Sequence, residues 1–262
     1  MARQPRLSVN TDVQLSPAVR DIAKFMRGEN DSAELSTRDL MLLVSIDEMV
    51  TTGPVDFNAG VVCDRLNIKH PMVNHYFGNR DHLIAEVTVW AYRSWSHALI
   101  GAVRKAPKNA EKRIRAYIEA EIKWAKSMRS VAVLVQYPLL SSTVNTMIDD
   151  QFGAEMQRYF EYHLSIMTTL VVDLRRGTNS DLNFDISNYP RTELVLKHSR
   201  EFLDATSMAW SIHGLAQWHS GTHLATTKLP RELAEVVTQK LAVQNHINQV
   251  IALAVGRRPL TE

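Results

Sequence analysis

The chain has 262 residues with 30 Lys+Arg against 28 Asp+Glu, a formal net charge of +2 at pH 7, and its apolar fraction of 45% excludes disorder over most of its length. Cys63 is the only cysteine, so an internal disulfide is excluded and a reducing, cytoplasmic setting is expected. No run nears the ~18 apolar residues that span a bilayer, and MARQPRLSVNTDVQ lacks the apolar stretch of a signal peptide, so no membrane partner is expected.

Residues 1–14 are polar and aperiodic, which predicts a mobile tail, with Arg3 and Arg6 as a candidate minor-groove arm. Leu15, Val19, Ile22 and Met26 then recur at helical spacing, predicting an extra helix over 15–27 ended by Gly28. Residues 28–36 read as a linker. The next helix is expected to start with Thr37 as N-cap, to bury Leu42, Ile46, Met49 and Val50, and to stop at Gly53-Pro54. A short helix follows from Ala59 with Asn58 as N-cap and Ala59, Val62, Cys63 and Leu66 on its inner face. Asn67 suits the left-handed backbone of a tight turn. Pro71 falls at the first position of another short helix, the helical position that accepts proline best. Gly78 breaks that helix, and Asn79 caps the next.

Beyond Leu83 the elements lengthen. Helices are expected over about 80–105, 109–129, 144–175, 192–224 and 231–255, with a shorter one before Pro138 and a polar loop over 177–191. No strand pattern or internal repeat is visible, which predicts an all-α protein.

Two short helices joined by a three-residue turn, between a longer helix and the start of another, form a helix-turn-helix organisation, whose second helix enters the DNA major groove. Here that helix is His70–Phe77. Val73 and Phe77 would face the core, leaving His70, Asn74 and His75 outward.

The stretch Phe57-Asn58-Ala59 … Val62-Cys63 … Leu66-Asn67-Ile68-Lys69 … Val73-Asn74-His75-Tyr76-Phe77-Gly78-Asn79-Arg80-Asp81-His82-Leu83 resembles the DNA-binding domain of the TetR family. Phe77 and Leu83 match the family's pattern directly. Val62, Ile68, Val73, Tyr76 and Arg80 stand for its Ile, Val, Leu, His and Lys, and the spacing is ungapped. Asn74, Asn67 and Cys63 depart from its usual Tyr, Gly and Ala. The detailed likeness covers residues 36–83.

The resemblance implies an N-terminal extension (1–35), a three-helix DNA-binding domain (36–83) and a larger helical domain for effector binding and dimerisation (84–262). It implies a homodimer, mostly repressive in this family, bound to a palindromic double-stranded operator and released by a small molecule, with no cofactor required and no catalysis. Lys69, His70, Pro71, Asn74, His75, Tyr76 and Arg80 are the DNA-facing candidates. By the family pattern, positions 74, 76 and 80 contact phosphates, and a helix N-terminus favours that role for Arg80. Residues 1–95 hold ten Lys+Arg and twelve Asp+Glu, so binding would depend on a local patch of Lys69, Arg80 and Arg38.

Tyr117, Trp124, Tyr137, Met156, Tyr159, Phe160 and His213 come from the helices that line the effector pocket in the family. A dense set of aromatic and Met residues predicts a largely apolar or aromatic effector. Val236, Val243, Ile247 and Val250 form one row of the last helix, and Leu233, Val237 and Leu241 a second. Two rows predict one face on the core and one on a second copy. His219 and His223 lie at i, i+4 with His213 nearby, yet no Asp, Glu or Cys adjoins them in sequence, so no metal site is expected. Dinucleotide, P-loop, nucleophile-elbow and HExxH motifs are absent. A helical adaptor or a helical enzyme with a degenerate helix-turn-helix is the alternative reading.

Overall fold

The computed structural model describes residues 9–28, 34–136, 141–220 and 240–256. The chain is all-α, with no strand among the described residues. Its helices are α1 (Pro17–Arg27), α2 (Thr37–Thr52), α3 (Ala59–Leu66), α4 (Pro71–Phe77), α5 (Arg80–Lys105), α6 (Ala110–Met128), α7 (Ser142–Arg176), α8 (Arg191–Lys197), α9 (Ser199–Ser220) and α10 (Lys240–Val255). A 3-10 helix, Arg129–Gln136, lies between α6 and α7. None of these helices is long and apolar enough to cross a membrane.

The chain divides into two compact units, Met1–Ser94 with Met128–Phe152, and Trp95–Ser127 with Gly153–Glu262. The helices α5 and α7 belong in part to each.

In the first unit α2 is the central element. Its run Leu40–Ile46 is buried without a break, beyond the single stripe the periodicity suggests, because α1, α3 and the 3-10 helix all pack on it. The 3-10 helix contributes buried Val131, Ala132 and Leu134. The unit therefore extends past residue 83 and includes Met128–Phe152. Ser36, not Thr37, is the N-cap of α2. Its Oγ accepts from the Asp39 N–H at 3.1 Å, and Asp39 Oδ2 accepts from the Ser36 N–H at 3.3 Å, a reciprocal capping box. Gly53 ends α2 at φ 81°, in the half of backbone space that side chains disfavour.

Residues 9–16 are not a free tail. The Asn10 N–H donates to the Leu66 carbonyl at 2.9 Å, and its side-chain amide to the Arg65 carbonyl at 3.0 Å, covering the otherwise open C-terminus of α3. Arg65 binds Asp47 at 2.8 Å and the Gln14 carbonyl at 2.7 Å, and Asp47 accepts from the Ser16 N–H at 2.9 Å. The strap thus joins α1, α2 and α3. Arg3 and Arg6 lie outside the described residues.

In the second unit the expected single helix over 192–224 is broken at His198 (φ −135°, ψ 45°) into α8 and α9. Arg175 near the end of α7 binds Asp204 at 2.5 Å and Glu201 at 3.4 Å on α9, and donates to the Ala254 carbonyl of α10 at 2.8 Å. One half-buried guanidinium thereby ties three helices. Ile247 and Val250 are buried within the chain at 2% and 1% exposure, and Val243 is half-buried. The row expected to meet a second copy is therefore used on the chain's own core, where α10 packs along α9. Leu233, Val236 and Val237, and the Leu241 side chain, lie outside what is described.

Candidate nucleic-acid interface and buried polar cluster

The α3–α4 segment is shaped by capping residues close in sequence. Asn58 Oδ1 accepts from the Gly60 N–H at 2.8 Å and starts α3. Asn67 takes φ 52°, ψ 45° and ends it. Gly78 (φ 76°) ends α4, and Asn79 Oδ1 accepts from the His82 N–H at 2.8 Å to start α5. Val73 and Phe77 are buried, which fixes the rotation of α4. Lys69, His70, Pro71, Asn74 and His75 are exposed, and Tyr76 is half-buried with its ring edge-on to His75 at 5.0 Å. Six of the seven DNA-facing candidates thus lie together on or beside one short helix.

Arg80 is placed differently. Its guanidinium donates to the carbonyls of Phe57 (3.1 Å), Pro54 (3.2 Å) and Val55 (3.3 Å) and lies 5.7 Å from the Phe57 ring centroid. It clamps the α2–α3 loop, and Asp81 sits 3.7 Å away. Arg38 is also committed, with both Glu86 oxygens at 2.5 and 2.6 Å and its guanidinium over the Phe77 ring at 4.8 Å. His82 faces the same Glu86 at 3.9 Å. The local basic patch therefore contracts to Lys69 and two exposed histidines.

The effector candidates divide. Tyr117 and Trp124 are buried at 1% and 8% exposure. Met156 and Tyr159 are half-buried, whereas Phe160 is 45% exposed and away from the core. Tyr137 lies outside the described residues. Tyr117 and His213 join a buried polar cluster that sequence reasoning had not assembled. The Tyr117 hydroxyl is 3.0 Å from His163 Nδ1, and Ser96 Oγ is 2.8 Å from His163 Nε2. Trp95 stacks on His163 at 4.2 Å between centroids and approaches His213 at 5.5 Å. Glu121, 2% exposed, pairs through Oε1 with His213 Nδ1, while its Oε2 is buried with no partner.

Burial, with the nearby His213 charge opposing a second cation, drives His163 down to about 3. The ring is neutral at pH 7, and because hydroxyls donate or accept, either tautomer satisfies both nitrogens. A serine beside an imidazole is the geometry of nucleophile activation, but a base this weak, sealed in the core, has little power to deprotonate it. For His213, burial works against the cation, and the charge and hydrogen bond of Glu121 outweigh it, raising its pKa. One signal for this cluster was present in the sequence: Tyr117, Glu121 and Trp124 at i, i+4, i+7 put a carboxylate on an apolar face. Among the described residues no group of His, Cys, Asp and Glu forms a metal site. The His223 position and the His219 side chain lie outside them. No protein-family model and no curated protein matches the chain.

Proposed function

We propose that the chain is a ligand-responsive transcriptional regulator of the TetR type that binds a palindromic DNA operator as a homodimer. The observation that carries this reading is α4. It is a short helix held by Val73 and Phe77, with Pro71, Asn74 and His75 exposed on its outer side, and it follows α3 through a left-handed Asn67. Such a helix suits the major groove, where Asn pairs with adenine N6/N7 and a cation or histidine reaches guanine. Arg80 then acts by holding the α2–α3 loop rather than as a free phosphate contact, and Lys69 is the cation left for the backbone.

The copy-to-copy contact in this reading uses the outer side of α9 rather than the buried row of α10. Leu203 and Trp210, seven residues apart, are 65% and 69% exposed, and an exposed tryptophan is a favoured anchor of protein interfaces. The effector site in this reading adjoins the buried cluster, whose surrounding helices must part to admit a molecule because the cluster is closed to solvent. A largely apolar molecule there meets Trp95, and a hydrogen-bond donor on it meets Glu121 Oε2. Release or retention of DNA then passes along α5, which bears Trp95 and Ser96 at one stretch and borders the reading helix at Arg80.

The test is selection of bound sequences from random duplex DNA with the full chain, followed by anisotropy titration. A palindrome bound by two copies is expected, with Asn74→Ala or His70→Ala relaxing one base position by about 1–3 kcal/mol. The salt slope should be shallow, and Lys69→Ala should reduce it by about one unit per protomer. Trp210→Glu should give monomers and weaken operator binding. Binding of random and selected DNA with equal affinity would reject the reading.

A further inference from the structure

An open cleft of about 550 Å³ in the second unit is lined by Arg104, Lys108, Arg113, Asp181, Leu182 and Asn183. It lies where α5 ends, α6 begins and the loop after α7 folds back. Three of the six lining side chains are cations, and one is a carboxylate. Asp181 pairs with Lys108 at the exposed rim. The hydrogen bond from Lys108, then its charge, hold the Asp181 carboxyl below the usual carboxylate range, and Arg113 adds to this.

The two arginines have no carboxylate within ion-pair distance among the described residues. Arg113 is 5% exposed. Its Nη1 donates to the Ser180 carbonyl at 2.6 Å, and its Nε is sealed from solvent with no acceptor. Arg104 donates to the Tyr162 hydroxyl at 3.0 Å and the Phe184 carbonyl at 3.3 Å, both neutral. Holding the Arg113 guanidinium this deep, with Asp181 close enough to feel its charge but not paired with it, is unfavourable, whereas Arg104 is exposed and its charge acts on Asp185. The planar donor fork of arginine matches oxyanions in particular.

We propose that this cleft is a binding site for a small anionic ligand, whose phosphate or carboxylate group is held by Arg104 and Arg113 with Lys108 at the rim. Asn183 offers an amide to the ligand's polar part, and Leu182, largely buried, an apolar contact. Asp181 is the competing anion: it occupies Lys108 until the ligand arrives and repels the ligand at the rim. The site uses none of the residues assigned to DNA or to the buried cluster, so it stands whether or not the chain binds an operator.

The experiment titrates the full chain with inorganic phosphate and with citrate by calorimetry, at constant ionic strength set with chloride. Wild type should bind one of the two at submillimolar to low millimolar concentration. Arg104→Gln should weaken it at least tenfold, because it removes one member of the charged fork. Asp181→Asn should strengthen it about threefold, because one like charge leaves the rim. Arg113→Gln should abolish it, and if that variant does not fold, Arg104→Gln and Asp181→Asn decide. Absence of binding by wild type to both anions overturns the proposal. So does equal binding by wild type and Arg104→Gln, which would place the anion elsewhere. If Asp181→Asn binds no more tightly and unfolds more easily, Asp181 is the resident counter-ion and the proposal fails.

Discussion

The α3–α4 segment and the buried polar cluster are held by opposite kinds of interaction. In the first, the groups that shape the backbone sit two or three residues from what they bond: Asn58 with Gly60, Asn79 with His82, and, in the helix before, Ser36 with Asp39. In the second, Tyr117, Ser96 and Glu121 find partners 46, 67 and 92 positions away. Short-range capping leaves a mark on the sequence because it needs particular residues at particular offsets. A long-range polar contact needs only a compatible group, brought near by packing that no short window contains. The legible region is therefore not thereby the more stable one, and the illegible region is where burial alters the chemistry of side chains.

The largest expected effect tests the independence of legibility and stability. Phe77 is 2% exposed between α4 and the face of the Arg38 guanidinium. Phe77→Ala should cost about 3–5 kcal/mol, read as a shift of the urea midpoint of the full chain. A cost under about 1 kcal/mol would mean that α4 is held by its caps alone and that its core contacts are incidental.

The next largest concerns the cluster. His163 is neutral when folded, with a pKa of about 3 against an ordinary 6.5. The unfolded chain therefore takes up the proton first as pH falls. Stability from this group is intact above 6.5 and is lost progressively from there toward 3. The loss is about 1.4 kcal/mol per pH unit, or about 2.7 kcal/mol at pH 4.5. His213 has the opposite sign: its pKa is raised, so its contribution is present below the ordinary value and fades as pH climbs through the raised one. Denaturation at pH 7.5 and 4.5 on wild type and His163→Phe separates them. The variant should be weaker at pH 7.5, since Tyr117 and Ser96 lose a partner, yet its acid slope should be shallower. Parallel loss in both proteins would show that other groups govern the acid limb.

Much of the first unit was open to reading from sequence, and the exceptions have one cause. The helix ends at Gly28, Gly53, Asn67 and Gly78 follow from backbone preference, and the rotation of α4 from Val73 and Phe77. The ion pairs do not. Arg80 holds carbonyls 23 to 26 residues back, and Arg38 reaches Glu86 48 residues on. Both cations looked free for phosphate because their partners are distant in sequence. The same limit applies to α10, whose apolar rows say how much surface is buried but not whether α9 or another copy covers it.

Asn67 gives a smaller effect and probes the legible region directly. At φ 52° a β-branched side chain is strained. Asn67→Val should cost about 1–2 kcal/mol, whereas Asn67→Gly should stay within about 0.5 kcal/mol of wild type. Equal behaviour of the two would show that the turn relaxes away from the left-handed region and that its geometry is set by the Asn10 strap instead.

The smallest effect on stability carries the most information about the DNA face. A Cβ added at Gly60 would lie 2.8 Å from His70 Cε1 and 3.0 Å from Asn58 Oδ1. The histidine ring is the far end of an exposed side chain and swings away at little cost. The cap oxygen has less room. Against this, alanine is favoured over glycine within a helix by up to about 1 kcal/mol. The two terms nearly cancel, so Gly60→Ala should fold within about 0.5 kcal/mol of wild type. Yet it removes the backing of His70, which stands at the start of α4. If His70 reads a base, Gly60→Ala should alter base preference in the same direction as His70→Ala, and the double variant should add nothing further. Two effects that add would separate glycine from histidine, and would mean that Gly60 acts through the Asn58 cap and the tilt of α3.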